Sequence, residues 1–119
     1  MSKPDIKNLT KRLVDFRDQR DWKQFHSLKD LIISLNLEAG EVLELTQWQG
    51  AGAFDESMKD DAVKARLKEE CADVLAYLLL ICEKAGFDLL EATSEKIDQN
   101  EKKYPVEKAR GKATKYTRL

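Results

Sequence analysis

The strongest constraint on how this 119-residue chain can fold is a pair of acid pairs set inside apolar helical repeats: Glu38 with Glu41, and Glu70 with Asp73. With 100° per residue, Glu38 falls between Leu31 and Leu45, and Glu41 between Leu45 and Trp48. Glu44 lies further round. On the later segment, Glu70 is flanked by Tyr77 and Ile81, Asp73 lies between Tyr77 and Leu80, and Glu69 is an auxiliary candidate. Residues three apart on a helix face the same way, with Cβ atoms about 5–6 Å apart.

A carboxylate removed from water without a partner costs several kcal/mol, and crowding like charges raises their pKa values. Four such groups on two helices that pack together need a cation between them. Hard oxygen donors at this density suit Mg²⁺ or Mn²⁺. The plainer reading is that acids of this kind form salt bridges with Lys or Arg at a solvated rim. One E-x-x-E pair in a chain that is 36% charged would not rise above it; two pairs on apolar stripes do. A di-iron bundle would need Glu-x-x-His pairs, and the single histidine, His26, stands in a connector. Phosphate-binding glycine loops and nucleophile triads have no counterpart in the sequence.

The rest of the chain reads as helix. Ile6, Leu9, Leu13 and Phe16 recur at helical spacing up to about Arg20, with Pro4 in a first turn after Ser2 or Lys3. Residues 22–26 form a connector, and Ser27 with Asp30 three residues on marks the cap of a second helix running to about Gln49. Residues 50–57 read as a loop. Ser57 or Asp60 opens a third helix that continues to Ala85 and stops at Gly86. Asp88 caps a fourth, which ends near Tyr104 and Pro105. The expectation is therefore an all-α bundle of four main helices in one domain over residues 1–119, with a basic tail over 106–119.

The net charge of −1 hides a strong asymmetry: residues 37–73 carry −6 and residues 100–119 carry +5. The whole molecule has no field to attract nucleic acid or an anionic membrane. Cys71 and Cys82 lie eleven residues apart, about 16 Å of rise on one helix, too far for a disulfide. The longest apolar run, Val74 to Cys82, has nine residues, about half of what spans a bilayer. A reducing, cytoplasmic setting is the expectation.

The spacing Glu38-Ala-Gly-Glu41, then 28 intervening residues, then Glu70-Cys-Ala-Asp73, resembles the E-x-x-E…E-x-x-D signature of the MazG-like all-α nucleoside triphosphate pyrophosphohydrolases. Within that superfamily the likeness is to the compact single-domain MazG-like proteins and the dCTP pyrophosphatases. It extends to Arg20-Asp-Trp22 with Phe25-His26, Leu45-Thr-Gln-Trp48, Lys96-Ile-Asp98-Gln-Asn100, Lys103-Tyr104-Pro105 and Lys115-Tyr116-Thr117. The resemblance implies Mg²⁺-dependent hydrolysis of a (deoxy)nucleoside triphosphate to the monophosphate and pyrophosphate, in the service of nucleotide-pool sanitation. It implies metal ligation by Glu38, Glu41, Glu70 and Asp73, with Glu41 also the candidate for activating water. Trp22, His26, Trp48 and Tyr77 become candidates for the nucleobase, and Asn100, Lys103 and Tyr104 for the triphosphate. Leu13, aligned where dCTP-type relatives can carry a His, offers no polar contact to a base, and Phe16 stands one turn on. A homo-oligomer is also implied, a tetramer built as a dimer of dimers in which neighbouring subunits complete each base pocket. Ile33 and Leu37, on the far side of the second helix, agree with a need for more than one packing partner. The competing class is a catalytically silent helical oligomer that binds nucleotide or a protein partner.

Overall fold

A computed structural model describes residues 3–119, and among them every regular element is a helix or a 3₁₀ turn. The chain divides into two compact units, residues 1–86 and 87–119.

The first unit contains α1 (Ile6–Gln19), α2 (Leu28–Glu44), α3 (Ala51–Glu56) and α4 (Asp61–Ala85). Each of the three long helices starts at a side-chain cap. The Asn8 N–H donates to Asp5 Oδ1 at 2.7 Å, the Asp30 N–H to Ser27 Oγ at 3.0 Å, and the Ala62 N–H to Asp60 Oδ1 at 2.9 Å. These bonds satisfy donors that the first helical turn leaves free. Asp5, rather than a residue before Pro4, is therefore the first cap; Ser2 lies outside the described residues. Gly86 ends α4 at φ +82°, a left-handed conformation that glycine adopts without steric cost, and its N–H donates to the Cys82 carbonyl.

Two boundaries differ from the sequence expectation. The second helix ends at Glu44 instead of continuing to Gln49, and the chain passes through tighter turns as far as Trp48, which stands at φ +67°. Thr46 Oγ1 donates to the Leu43 carbonyl at 2.7 Å, a local bond of the kind that competes with helix continuation. The expected loop over 50–57 contains α3, so a fifth helix joins the four foreseen.

The most extensive packing is α2 against α4, and α1 packs on the same α4. Leu31, Leu79, Leu80 and Cys82 form the buried centre. Arg17, on α1, is 5% exposed. Its Nε donates to Asp18 Oδ1 at 2.9 Å and its Nη1 to Glu83 Oε2 on α4 at 3.2 Å. Around this small core many large apolar side chains remain exposed, Ile33, Leu37 and Leu43 among them.

The second unit is α5 (Leu89–Lys103) followed by the short α6 (Val106–Ala109) and a 3₁₀ turn over Tyr116–Arg118. Asp88 Oδ1 accepts from the N–H groups of Leu90 and Glu91. The segment foreseen as a basic tail thus carries local structure of its own, and the Tyr116 ring meets Tyr104 edge-on at 6.0 Å.

Candidate metal and nucleotide site

The α2–α4 contact brings both acid pairs together. One carboxylate oxygen from each of Glu38, Glu41, Glu70 and Asp73 lies within 4.8 Å of the others. Glu38 and Glu70 are partly buried, while Glu41 and Asp73 are exposed. Three-residue spacing puts both members of each pair on the face their helix turns toward the other. Glu44 and Glu69 stand outside the cluster.

The electrostatics follow from that crowding. Burial, reinforced by the neighbouring carboxylates of Glu41 and Asp73, pushes Glu38 above the usual carboxylate range. Glu70 is pushed up to about 7, first by its hydrogen bond with Glu41, then by burial and by the charges of Glu41, Asp73 and Glu38. Glu38 Oε2 and Glu70 Oε2 are both buried without a hydrogen-bond partner. Buried polar atoms are nearly always paired, so two unpaired buried oxygens on members of one acidic cluster fit the ligation of a cation. The donor set is all hard oxygen, which fits Mg²⁺ or Mn²⁺ rather than a soft metal. No disulfide forms among the described residues, and Cys71, between Glu70 and Asp73, is exposed.

The aromatic candidates separate into two groups. Tyr77 is partly buried one turn beyond Asp73 on α4, beside the quartet along the helix axis. Trp48 follows the end of α2 and is 94% exposed, held out by its left-handed backbone. Trp22 and His26 belong to the opposite end of the helix pair. The Trp22 N–H donates to the Arg17 carbonyl, and Arg17 is bonded to Glu83. Glu83 lies ten residues, or about 15 Å, along α4 from Asp73. His26 precedes α2, so at least about 15 Å of rise separates it from Glu38. Burial, and then the charges of Arg17 and Lys84, hold the His26 imidazole below its ordinary pKa, and its buried Nδ1 lacks a partner.

The Trp22 end has its own cavity. An open groove of about 510 Å³ runs along α1, with Leu13, Phe16, Gln19 and Arg20 in its lining. Phe16 meets Trp22 edge-on at 5.7 Å, and the Arg20 guanidinium lies 3.7 Å above the Phe16 ring. Leu13 and Phe16 share the lining of this groove. In the second unit, Asn100, Lys103 and Tyr104 share the last turn of α5, where the Tyr104 N–H donates to the Asn100 carbonyl at 2.9 Å. Sequence reasoning missed the Arg17–Glu83 link. The only signal was an arginine one turn beyond Leu13, on the apolar side of α1.

A family description reading MazG-like matches residues 33–119, which includes both acid pairs and runs through both units. The chain belongs to the MazG-like family. Curated relatives of this MazG-like chain include dCTP pyrophosphatase 1 of Rattus norvegicus, 36% identical over 116 residues that cover 98% of this chain and 68% of the relative. The protein of the same name from Homo sapiens is 35% identical over the same share of each. Among solved structures, a pyrophosphatase from Archaeoglobus fulgidus DSM 4304 superposes with a TM-score of 0.79 at 36% identity, covering 88% of this chain and 96% of that one.

Proposed function

We propose that this MazG-like chain is a nucleoside triphosphate pyrophosphohydrolase that cleaves dCTP or other deoxynucleoside triphosphates, modified ones included, to the monophosphate and pyrophosphate. The observation that carries the reading is the quartet, four carboxylates within 4.8 Å of one another with two buried oxygens unpaired. Relatives and a structural neighbour named as pyrophosphatases support it.

In this reading Glu38, Glu41, Glu70 and Asp73 hold Mg²⁺, with Mn²⁺ an equivalent donor match. When bound, such an ion neutralises triphosphate charge and acidifies bound water. Phosphoryl transfer asks mainly for positioning and charge stabilisation, so the protein needs no covalent nucleophile. Glu41 is the proton acceptor. It is the exposed member of its pair and adjoins both Glu38 and Glu70, so its carboxylate is open to a water approaching the cluster.

Trp48 and Tyr77 supply ring surface near the quartet, while Trp22 and His26 of the same subunit lie a helix-length away. A base pocket using both groups takes the second from a neighbouring copy. That fits a homotetramer assembled as a dimer of dimers, with Ile33, Leu37 and Leu43 exposed on α2 to be covered. Asn100, Lys103 and Tyr104 receive the triphosphate. No helix among the described residues is long and apolar enough to cross a membrane, and the proposed setting is the nucleotide pool of the cytoplasm.

The test is product identification across a dNTP panel by chromatography. Monophosphate with pyrophosphate supports the proposal; diphosphate with orthophosphate, or no turnover of any nucleotide, removes it and favours a binding module.

A further inference from the structure

The second unit contains an arrangement that the proposed chemistry does not yet use. Pro105 ends α5, α6 follows at once, and the chain reverses at Gly111, whose φ of +74° lies in the region glycine favours. The reversal returns the chain to the end of α5. The Tyr116 ring lies edge-on to Tyr104, and the Lys103 ammonium sits 4.9 Å from the Tyr116 ring centroid. Among the described residues Lys103 forms no ion pair with a carboxylate.

These contacts have a specific consequence for a lysine. A carboxylate partner would hold the side chain but cancel its charge, whereas an aromatic face attracts the ammonium and leaves the charge intact. A lysine side chain otherwise has about 2 kcal/mol of rotamer freedom to lose on binding an anion. A ring that restrains the stem beforehand removes part of that cost.

We infer that Tyr116 is a positioning residue for the triphosphate: its ring, braced by Tyr104, holds the Lys103 ammonium ready for phosphate oxygens, and the fold-back at Gly111 exists to bring it there. The inference rests on the reading that Lys103 contacts substrate.

Steady-state hydrolysis of the best dNTP by the wild type and by Lys103→Ala, Tyr116→Leu, Tyr116→Phe and the Lys103→Ala/Tyr116→Leu double variant tests both levels. Loss of a charge-assisted contact raises KM about tenfold or more in Lys103→Ala. Loss of the ring raises KM about three- to fivefold in Tyr116→Leu with kcat little changed, and Tyr116→Phe, which keeps the ring, matches the wild type. The double variant is no worse than Lys103→Ala, because the ring acts only through the lysine. An unimpaired Lys103→Ala overturns the substrate contact and this inference with it. An impaired Lys103→Ala beside a wild-type Tyr116→Leu overturns the positioning role alone, and so does a double variant whose KM rises by the product of the single effects.

Discussion

Glu38 and Glu70 stand 32 residues apart in sequence and meet across the α2–α4 contact, each turning one carboxylate oxygen into the protein without a hydrogen-bond partner. Both are pushed toward the protonated form by burial and by the acids beside them. A helix pair built for stability alone would place leucines there, as it does at Leu31 and Leu79. Under the proposed function, stability is given up locally in favour of cation binding.

Replacing one of these acids therefore separates stability from function. In metal-free buffer Glu38→Gln raises the thermal midpoint by about 2–5 °C, because it removes a like charge from the cluster and leaves the helices intact. The same variant loses at least about a hundredfold in turnover with Mg²⁺ present. Thermal melts read alongside activity check both directions, and a variant that is destabilised yet active contradicts this reading.

The raised pKa of Glu70 fixes the sign of a pH effect. An unfolded glutamate titrates near 4.5 and the folded one near 7, so between these values the folded chain binds the proton more tightly. This contribution to stability is complete below about 4.5 and is lost as pH rises through 7. The thermal midpoint in EDTA should fall across that window. Mg²⁺ competes with the same proton, so its affinity rises by about tenfold per pH unit below 7 and levels off above it. Calorimetric titration at several pH values reads the slope, and a pH-independent affinity would count against carboxylate ligation by Glu70.

Arg17 tests what joins α1 to α4. Its side chain is 6% exposed, while its partners Asp18 and Glu83 are 49% and 37% exposed. Arg17→Ala leaves a gap but no stranded buried carboxylate, so about 2–3 kcal/mol of stability is lost, at or just below the low end for a broken buried pair. Arg17→Met, which refills the volume, recovers part of it. Urea unfolding provides the comparison, and equal losses for the two variants would assign the effect to charge rather than packing.

Leu37 tests the assembly. It is 66% exposed on α2, one turn from Ile33, and remains so in the isolated subunit. Leu37→Glu should shift the sedimenting species to a smaller oligomer, and turnover should fall with it if neighbouring subunits complete the base pocket. A wild-type sedimentation profile would place the interface elsewhere.

The features legible in the sequence were those set by local chemistry. Ser27, Asp60 and Asp88 each cap the helix they announced, and Gly86 stops α4 as its lack of a Cβ allows. The quartet was legible because four acids inside apolar stripes are costly enough to need a reason. A helical wheel discards the axial coordinate, however. It aligned residues by face while leaving about 15 Å between the quartet and the Trp22–His26 end invisible. The position of Trp48 was lost for a related reason: its place on the wheel assumed a helix reaching Gln49, and the left-handed turn at Trp48 lies beyond the true end at Glu44. The fold-back of Tyr116 onto Lys103 depends on a contact thirteen residues distant, which no local rule supplies.

The proposed metal centre is tested most sharply by pyrophosphate release from dCTP and a panel of other dNTPs by the wild type with Mg²⁺, the wild type with EDTA, and Glu70→Gln with Mg²⁺. Release is expected in the first reaction only, with Glu70→Gln still fully helical by circular dichroism. Release that persists in EDTA, or an active Glu70→Gln protein, would contradict that expectation.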